Sequence, residues 1–158
     1  MNLVAILRPA TLGLLAAMLV LGTAQAANRF TASSNGQTIT DSQTGLVWSR
    51  CSAGQTWTGS TCSGTATTYT HAQALAYAAT QTGWRLPNVK ELNSLVDRDS
   101  RNPAINSATF PSTPAEPYWT ASPVVSGPDG AWLVYFSYGY VSYSSRDTKL
   151  HVRLVKQQ

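Results

Sequence analysis

Apolar residues run from Ala10 to Leu21 with only Thr11 and Gly13 interrupting them. Arg8 stands before this run, and Ala24-Gln25-Ala26 follows it. The run is about a dozen residues, whereas a membrane-spanning helix needs roughly 20. A basic start, a short apolar stretch and an A-x-A end form the pattern of a secretory signal cleaved after Ala26. No later segment is expected to enter a membrane once the signal is gone.

Beyond it the pattern changes to short alternations. Thr38-Ile39-Thr40 and Leu46-Val47-Trp48 read as two strands around an Asp41–Gly45 turn. Asp41 starts such a turn with its side chain, and Gly45 tolerates a left-handed backbone. Thr70 with Gln73 forms a capping box for a first helix. Ala72, Leu75, Ala76 and Ala79 give that helix an apolar face at i, i+3, i+4 and i+7, and Gly83 ends it. Asn88 with Glu91 caps a second helix carrying Val89, Leu92, Leu95 and Val96. Six prolines between Asn102 and Pro128 exclude a regular sheet there, with one strand expected at Tyr118–Ser122. Long ordered loops of this kind are usually functional. Ala131–Phe136, a Ser137–Gly139 turn, Tyr140–Ser144 and a last strand through Leu150, Val152 and Leu154 close the chain. This order implies an α+β fold with helices segregated from an antiparallel sheet.

Composition narrows the function. The 158 residues are 43% apolar and 11% charged, with a net charge of +4. That is one domain by length, and too apolar for disorder. It also lacks the dense basic patch of a nucleic-acid binder. Cys51 and Cys62 are the only cysteines. Zinc ligands usually come in closely spaced pairs, and a site with His71 and His151 would not match. In a secreted protein the two cysteines are expected to form a disulfide.

Several segments together carry a resemblance. They are Thr44-Gly45-Leu46-Val47-Trp48, Gly83-Trp84-Arg85-Leu86-Pro87-Asn88-Val89-Lys90-Glu91-Leu92, Asn102-Pro103-Ala104-Ile105 and Phe110-Pro111. Tyr118-Trp119-Thr120-Ala121-Ser122, Ala131-Trp132-Leu133-Val134 and Val152-Arg153-Leu154-Val155 complete the set. In this order they resemble the C-terminal domain family of the bacterial collagen-like adhesin Lcl, over residues 38–156. Residues 27–37 are then a short N-terminal segment. The resemblance implies a C-type-lectin-like fold, with two helices flanking a small antiparallel sheet and long irregular loops. It implies an extracellular or surface binding module. The Glu-Pro-Asn and Trp-Asn-Asp motifs of calcium-dependent lectins are missing. So is the late cysteine pair of the sulfatase-activating enzymes of similar fold, and neither activity carries over.

Candidate chemistry lies mostly in aromatics. Trp84, Trp119, Trp132 and Phe136 sit among apolar neighbours and are expected in the core. Tyr138, Tyr140 and Tyr143 cluster near Arg146 on the last hairpin. Sugar rings stack on exposed aromatics, and a cation pairs with sulfate or carboxylate. The competing reading packs these tyrosines cross-strand. Trp57, in the Ser/Thr/Gly-rich disulfide loop, is either an exposed contact or a lid on the core. Asp97, Asp99 and Asn102 offer oxygen ligands, but Arg98 and Arg101 interleave and no glycine turn is present. No metal or other cofactor is expected. Without nucleophile, metalloprotease or phosphate-loop motifs, no enzymatic activity is expected. The reading is a secreted, periplasmic or cell-surface adhesin-like module for anionic polysaccharide, binding through Tyr138, Tyr140, Tyr143, Arg146 and Trp57. The alternative is a structural subunit that docks on a larger surface assembly through protein contacts. Intact-mass measurement of the secreted protein should give a chain beginning at Ala27; a chain beginning at Met1 would refute the signal.

Overall fold

In the computed structural model, which describes residues 28–158, the alternation at Thr38–Trp48 becomes a hairpin. The expected signal lies outside the described residues. Phe30–Ala32 (β1), Thr38–Asp41 (β2) and Leu46–Ser49 (β3) pair antiparallel in that order. Asp41 is buried and organises the turn. Its carboxylate accepts from Arg29 at 2.7 and 2.9 Å, from the Thr44 hydroxyl at 2.9 Å and from Gln43 N–H at 3.0 Å. Gly45 takes the left-handed backbone, φ +68°. Arg29 also donates to Ser94 O at 2.8 Å. The segment before residue 38 is therefore an outer strand of the fold.

Next come two short strands, Thr56–Trp57 (β4) and Cys62–Ser63 (β5), which pair with each other. Thr68–Tyr69 (β6) leads into helix α1, His71–Thr80. The Thr70/Gln73 capping box forms as expected. The buried face of α1 does not. His71, Ala74 and Ala78 are buried, with Tyr77 partly so, while Leu75 is 43% exposed. Alanines surround this helix, so spacing alone left its rotation open. His71 fixes it: its Nε2–H donates to Thr120 O at 2.9 Å, and its ring meets the edge of Trp119. Helix α2, Val89–Asn93, has its Asn88/Glu91 box but lasts only five residues. Its end is tightened by Ser94, whose hydroxyl donates back to Glu91 O at 2.7 Å.

Pro117–Pro123 (β7), Gly130–Tyr135 (β8) and Tyr140–Ser145 (β9) form an antiparallel meander. The expected last strand divides. Leu150–His151 (β10) enters between β6 and β7, parallel to β7, whereas Val155–Gln157 (β11) pairs with β3. Between them Val152, Arg153 and Leu154 cross from one sheet to the other, all buried. Their main chain makes its own bonds on the way: Val152 O accepts from Ala53 N–H in the disulfide loop, and Leu154 O accepts from Ser49 N–H at the end of β3. The sheets are thus β1-β2-β3-β11, β6-β10-β7-β8-β9 and β4-β5.

Two apolar clusters hold these layers. One gathers Ile39 and Trp48 with Leu92, Phe110, Tyr118 and Phe136. The other gathers Ala74 and Ala78 of α1 with Trp119, Leu133, Leu150 and Val152. Adjacent residues Tyr118 and Trp119 belong to different clusters, so the five-stranded sheet is buried on both faces at β7, while β9 at its edge is mostly exposed. The proline-rich stretch is core as well as loop, since Ala104, Ile105 and Phe110 are fully enclosed.

The α+β, C-type-lectin-like expectation fails here. The domain is mostly β, 34% strand against 11% helix, in three sheets with two short helices that do not flank a sheet. The sequence pattern hid this because β4, β5, β6 and β10 span only two residues each. So short a strand shows no periodicity.

His71 and His151 carry a pH dependence. Burial pushes both imidazoles below the ordinary 6.5; the Arg146 charge adds to the effect at His71, and hydrogen bonding to main-chain oxygen opposes it at both. Above that pH the folded and unfolded states are both neutral. As pH falls through 6.5 the unfolded chain takes up protons first, and stability drops. The melting temperature should therefore fall between about pH 7 and pH 5, before the carboxylates titrate near 4. A flat melting temperature over that window would refute the buried placement.

Candidate functional site

The expected tyrosines are exposed: Tyr138 by 61%, Tyr140 by 47% and Tyr143 by 64%. They do not form one site with Arg146. Tyr140 lies opposite Tyr135 and stacks on it, centroids 5.1 Å apart. Tyr143 lies opposite Trp132 and meets it edge-on at 5.9 Å. On a strand Tyr140 and Tyr143 point to opposite faces. Arg146 stands at the other end of β9, about 20 Å from Tyr140 at roughly 3.3 Å per residue. Its Nε donates to Gly130 O at 3.2 Å. Trp132, expected in the core, is only half-buried. The 102–128 stretch does approach this hairpin, with Asn102 and Ala104 N–H donating to Ser137 and Phe136 O.

Trp57 is placed differently. Cys51 and Cys62 are bonded, S–S 2.04 Å, which closes the loop carrying β4 and β5. The indole of Trp57 borders a cleft of about 300 Å³. Tyr77 of α1 and Trp84, from the turn after it, border the same cleft, with Gln37, Gln55 and Gln81 among the polar groups. Arg50 lies over one face of Trp57, its guanidinium carbon 3.6 Å from the ring centre. Bonds from Nε to Thr109 O and from Nη1 to Gly36 O fix that guanidinium. Lys156 Nζ sits 5.0 Å from the Trp84 ring centre. Trp84 was expected in the core; it is half-buried and lines this cleft instead. Its neighbour Arg85 forms a two-pronged ion pair with Glu91 at 2.7 and 2.8 Å, and that bond holds the Glu91 carboxyl below its usual range.

Under the cleft floor lies Arg153, fully buried. Its guanidinium donates to Ser49 O at 2.8 Å, to Arg50 O, and to the hydroxyls of Thr113 and Ser52 at 2.8 and 3.3 Å. Ser52 shares a 2.6 Å hydrogen bond with the Tyr118 hydroxyl. The residues on either side of Cys51 are therefore anchored to the core. Asp97, weighed above as a cation ligand, instead accepts from Asp99 N–H and the Ser100 hydroxyl.

The Lcl C-terminal domain family matches residues 37–156. The chain belongs to that family. No curated protein and no solved structure matched it. Membership makes this Lcl-type domain an adhesin-related module. Family and disulfide together are consistent with an extracellular or surface location. Among the described residues no helix is long and apolar enough to cross a membrane.

Sequence reasoning found Trp57 but missed its company. Tyr77 and Trp84 come from beyond the loop, and only the position of α1 against it joins them. One available signal was Arg50 beside Cys51, a cation at the foot of an aromatic loop. Replacing both Cys51 and Cys62 with Ala should cost about 2–3 kcal/mol, the chain-entropy value for so short a loop. Unfolding should stay cooperative, because Arg153 still anchors the loop's base. Arg153→Met should cost more, since hydrogen bonds to a charged group contribute about 1.5–3 kcal/mol each. Denaturant unfolding of both variants checks the order, and the reverse order would refute it.

Proposed function

We propose that this domain is a non-enzymatic binding module whose cleft takes an acidic polysaccharide. The observation that carries the reading is the meeting of Trp57, Tyr77 and Trp84 in one cleft beside three glutamine side chains. Aromatic faces suit the C–H faces of sugar rings, and amides both donate and accept towards hydroxyls. Binding, rather than bond cleavage, is what indoles, a phenol and amides supply. The preference for acidic chains comes from Arg50 and Lys156, which bring positive charge to two of the three rings. Neither forms an ion pair among the described residues. The expected site at Tyr138, Tyr140, Tyr143 and Arg146 is set aside because those side chains do not converge.

Binding of the purified protein to sulfated and uronic polysaccharides tests this. Trp57→Ala and Trp84→Ala should each weaken binding roughly tenfold or more, as expected for anchor residues worth over 1.4 kcal/mol. Added salt should weaken it further by screening. Unchanged affinity in a folded double variant would refute the cleft.

A further inference from the structure

The hairpin of β4 and β5 carries one wall of the cleft yet stands outside both apolar clusters, neither of which includes a residue from 54 to 66. Its strands are two residues each and pair only with each other. An isolated two-stranded hairpin is marginally stable at best in water. Gln55 and Thr61 reach across to Ser112, but through exposed hydrogen bonds of 3.1 and 3.0 Å. The disulfide closes a ring around Trp57. Cys62 is the cross-strand partner of Trp57 and is bonded to Cys51. Cys51 follows Arg50, whose guanidinium lies over the Trp57 ring and whose carbonyl accepts from buried Arg153. The indole is thus tied to the core along two routes that both start at residues 50 and 51. Cys51 borders the cleft and is only half-buried, whereas Cys62 is 4% exposed.

Resting on the reading of the cleft as a polysaccharide site, we propose that this site is assembled only while Cys51 and Cys62 are oxidised, so that ligand binding and reduction of the bridge oppose each other. A dithiol supplies the chemistry. Its thiolate attacks the Cys51 sulfur, the S–S bond breaks, and Cys62 leaves as a thiolate that takes a proton. The second thiol then closes on the mixed disulfide and releases Cys51 as a thiol. Two electrons and two protons pass to the protein, and the dithiol ends as a cyclic disulfide. Cut loose from Cys51, the hairpin keeps its exposed bonds to Ser112, and Trp57 rests on the Arg50 contact without a covalent tie. The Arg153 bonds and both clusters are untouched, so the fold survives the change. A sugar chain lying in the cleft covers Cys51 and blocks the approach of the thiolate. Linkage makes the effect reciprocal: whatever the bridge adds to affinity, the ligand returns as resistance to reduction.

Binding of a sulfated polysaccharide to the oxidised protein, to protein reduced with dithiothreitol and to a protein carrying Cys51→Ala with Cys62→Ala reads the outcome. The last two should bind about tenfold more weakly, the loss of one anchor residue, while the thermal melt stays cooperative. In a Trp57→Ala background the cysteine replacements should weaken binding little further, since no ring is left to release. The polysaccharide should also slow reduction of the wild-type bridge, followed as free thiol against time. Equal binding by the oxidised protein and the cysteine variant would overturn the proposal. So would losses that add in full to that of Trp57→Ala, an unfolded cysteine variant, or reduction at the same rate with ligand present. An oxidised protein that binds no polysaccharide would overturn the cleft reading itself, and this proposal with it.

Discussion

Arg153 is sealed inside the domain with no carboxylate against it, and much of the architecture follows from satisfying it. Moving a guanidinium out of water costs several kcal/mol. The return comes from Ser49 O, Arg50 O and the hydroxyls of Ser52 and Thr113, with Phe110 beneath the cation at 4.9 Å. Those partners belong to the end of β3, the base of the disulfide loop and the proline-rich stretch. Three segments that share no ladder are thereby held at one point. The crossing of Val152–Leu154 between two sheets delivers the side chain to that point. An ordinary strand continuing from β10 would have stayed in one sheet.

The constraint reaches the surface through Arg50. Its carbonyl accepts from Arg153 while its own side chain lies over Trp57. The indole is thus fixed relative to the core at one remove. Gly36 supplies the other side. A Cβ there would come within 2.5 Å of the Trp57 indole nitrogen, and its φ of +70° is one that other residues rarely adopt. The cleft wall is set by a cation on one side and by a missing side chain on the other.

Local chemistry was legible in the sequence where it acts over three or four residues. Both capping boxes and the Asp41 turn fall in that class, because each is decided by the reach of one side chain; the disulfide, between residues 11 apart, was legible because the chain has no other cysteine. The segments around Trp84 and Lys90 also carried the family. The rotation of α1 was not legible, since alanines on every side left the choice to the His71–Thr120 bond. The division of the last strand was hidden for a similar reason. Leu150, Val152 and Leu154 alternate as one strand would, and only the burial of Arg153 between them reveals two. The candidate site failed on distance. Tyr140 and Arg146 are close in sequence, yet an extended strand carries them apart, whereas Trp57 and Trp84 are distant in sequence and meet.

The rigidity of the cleft bears on the kind of ligand it suits. At the cleft, Trp57 is braced by Arg50, and Tyr77 by its stack on Tyr69 at 5.1 Å. Side chains already held in place lose little freedom when a ligand arrives, and an immobilised side chain otherwise costs about 0.5–1.5 kcal/mol. A flexible glycan must surrender its own freedom on binding, so a stiff site matters more for it than for a rigid partner.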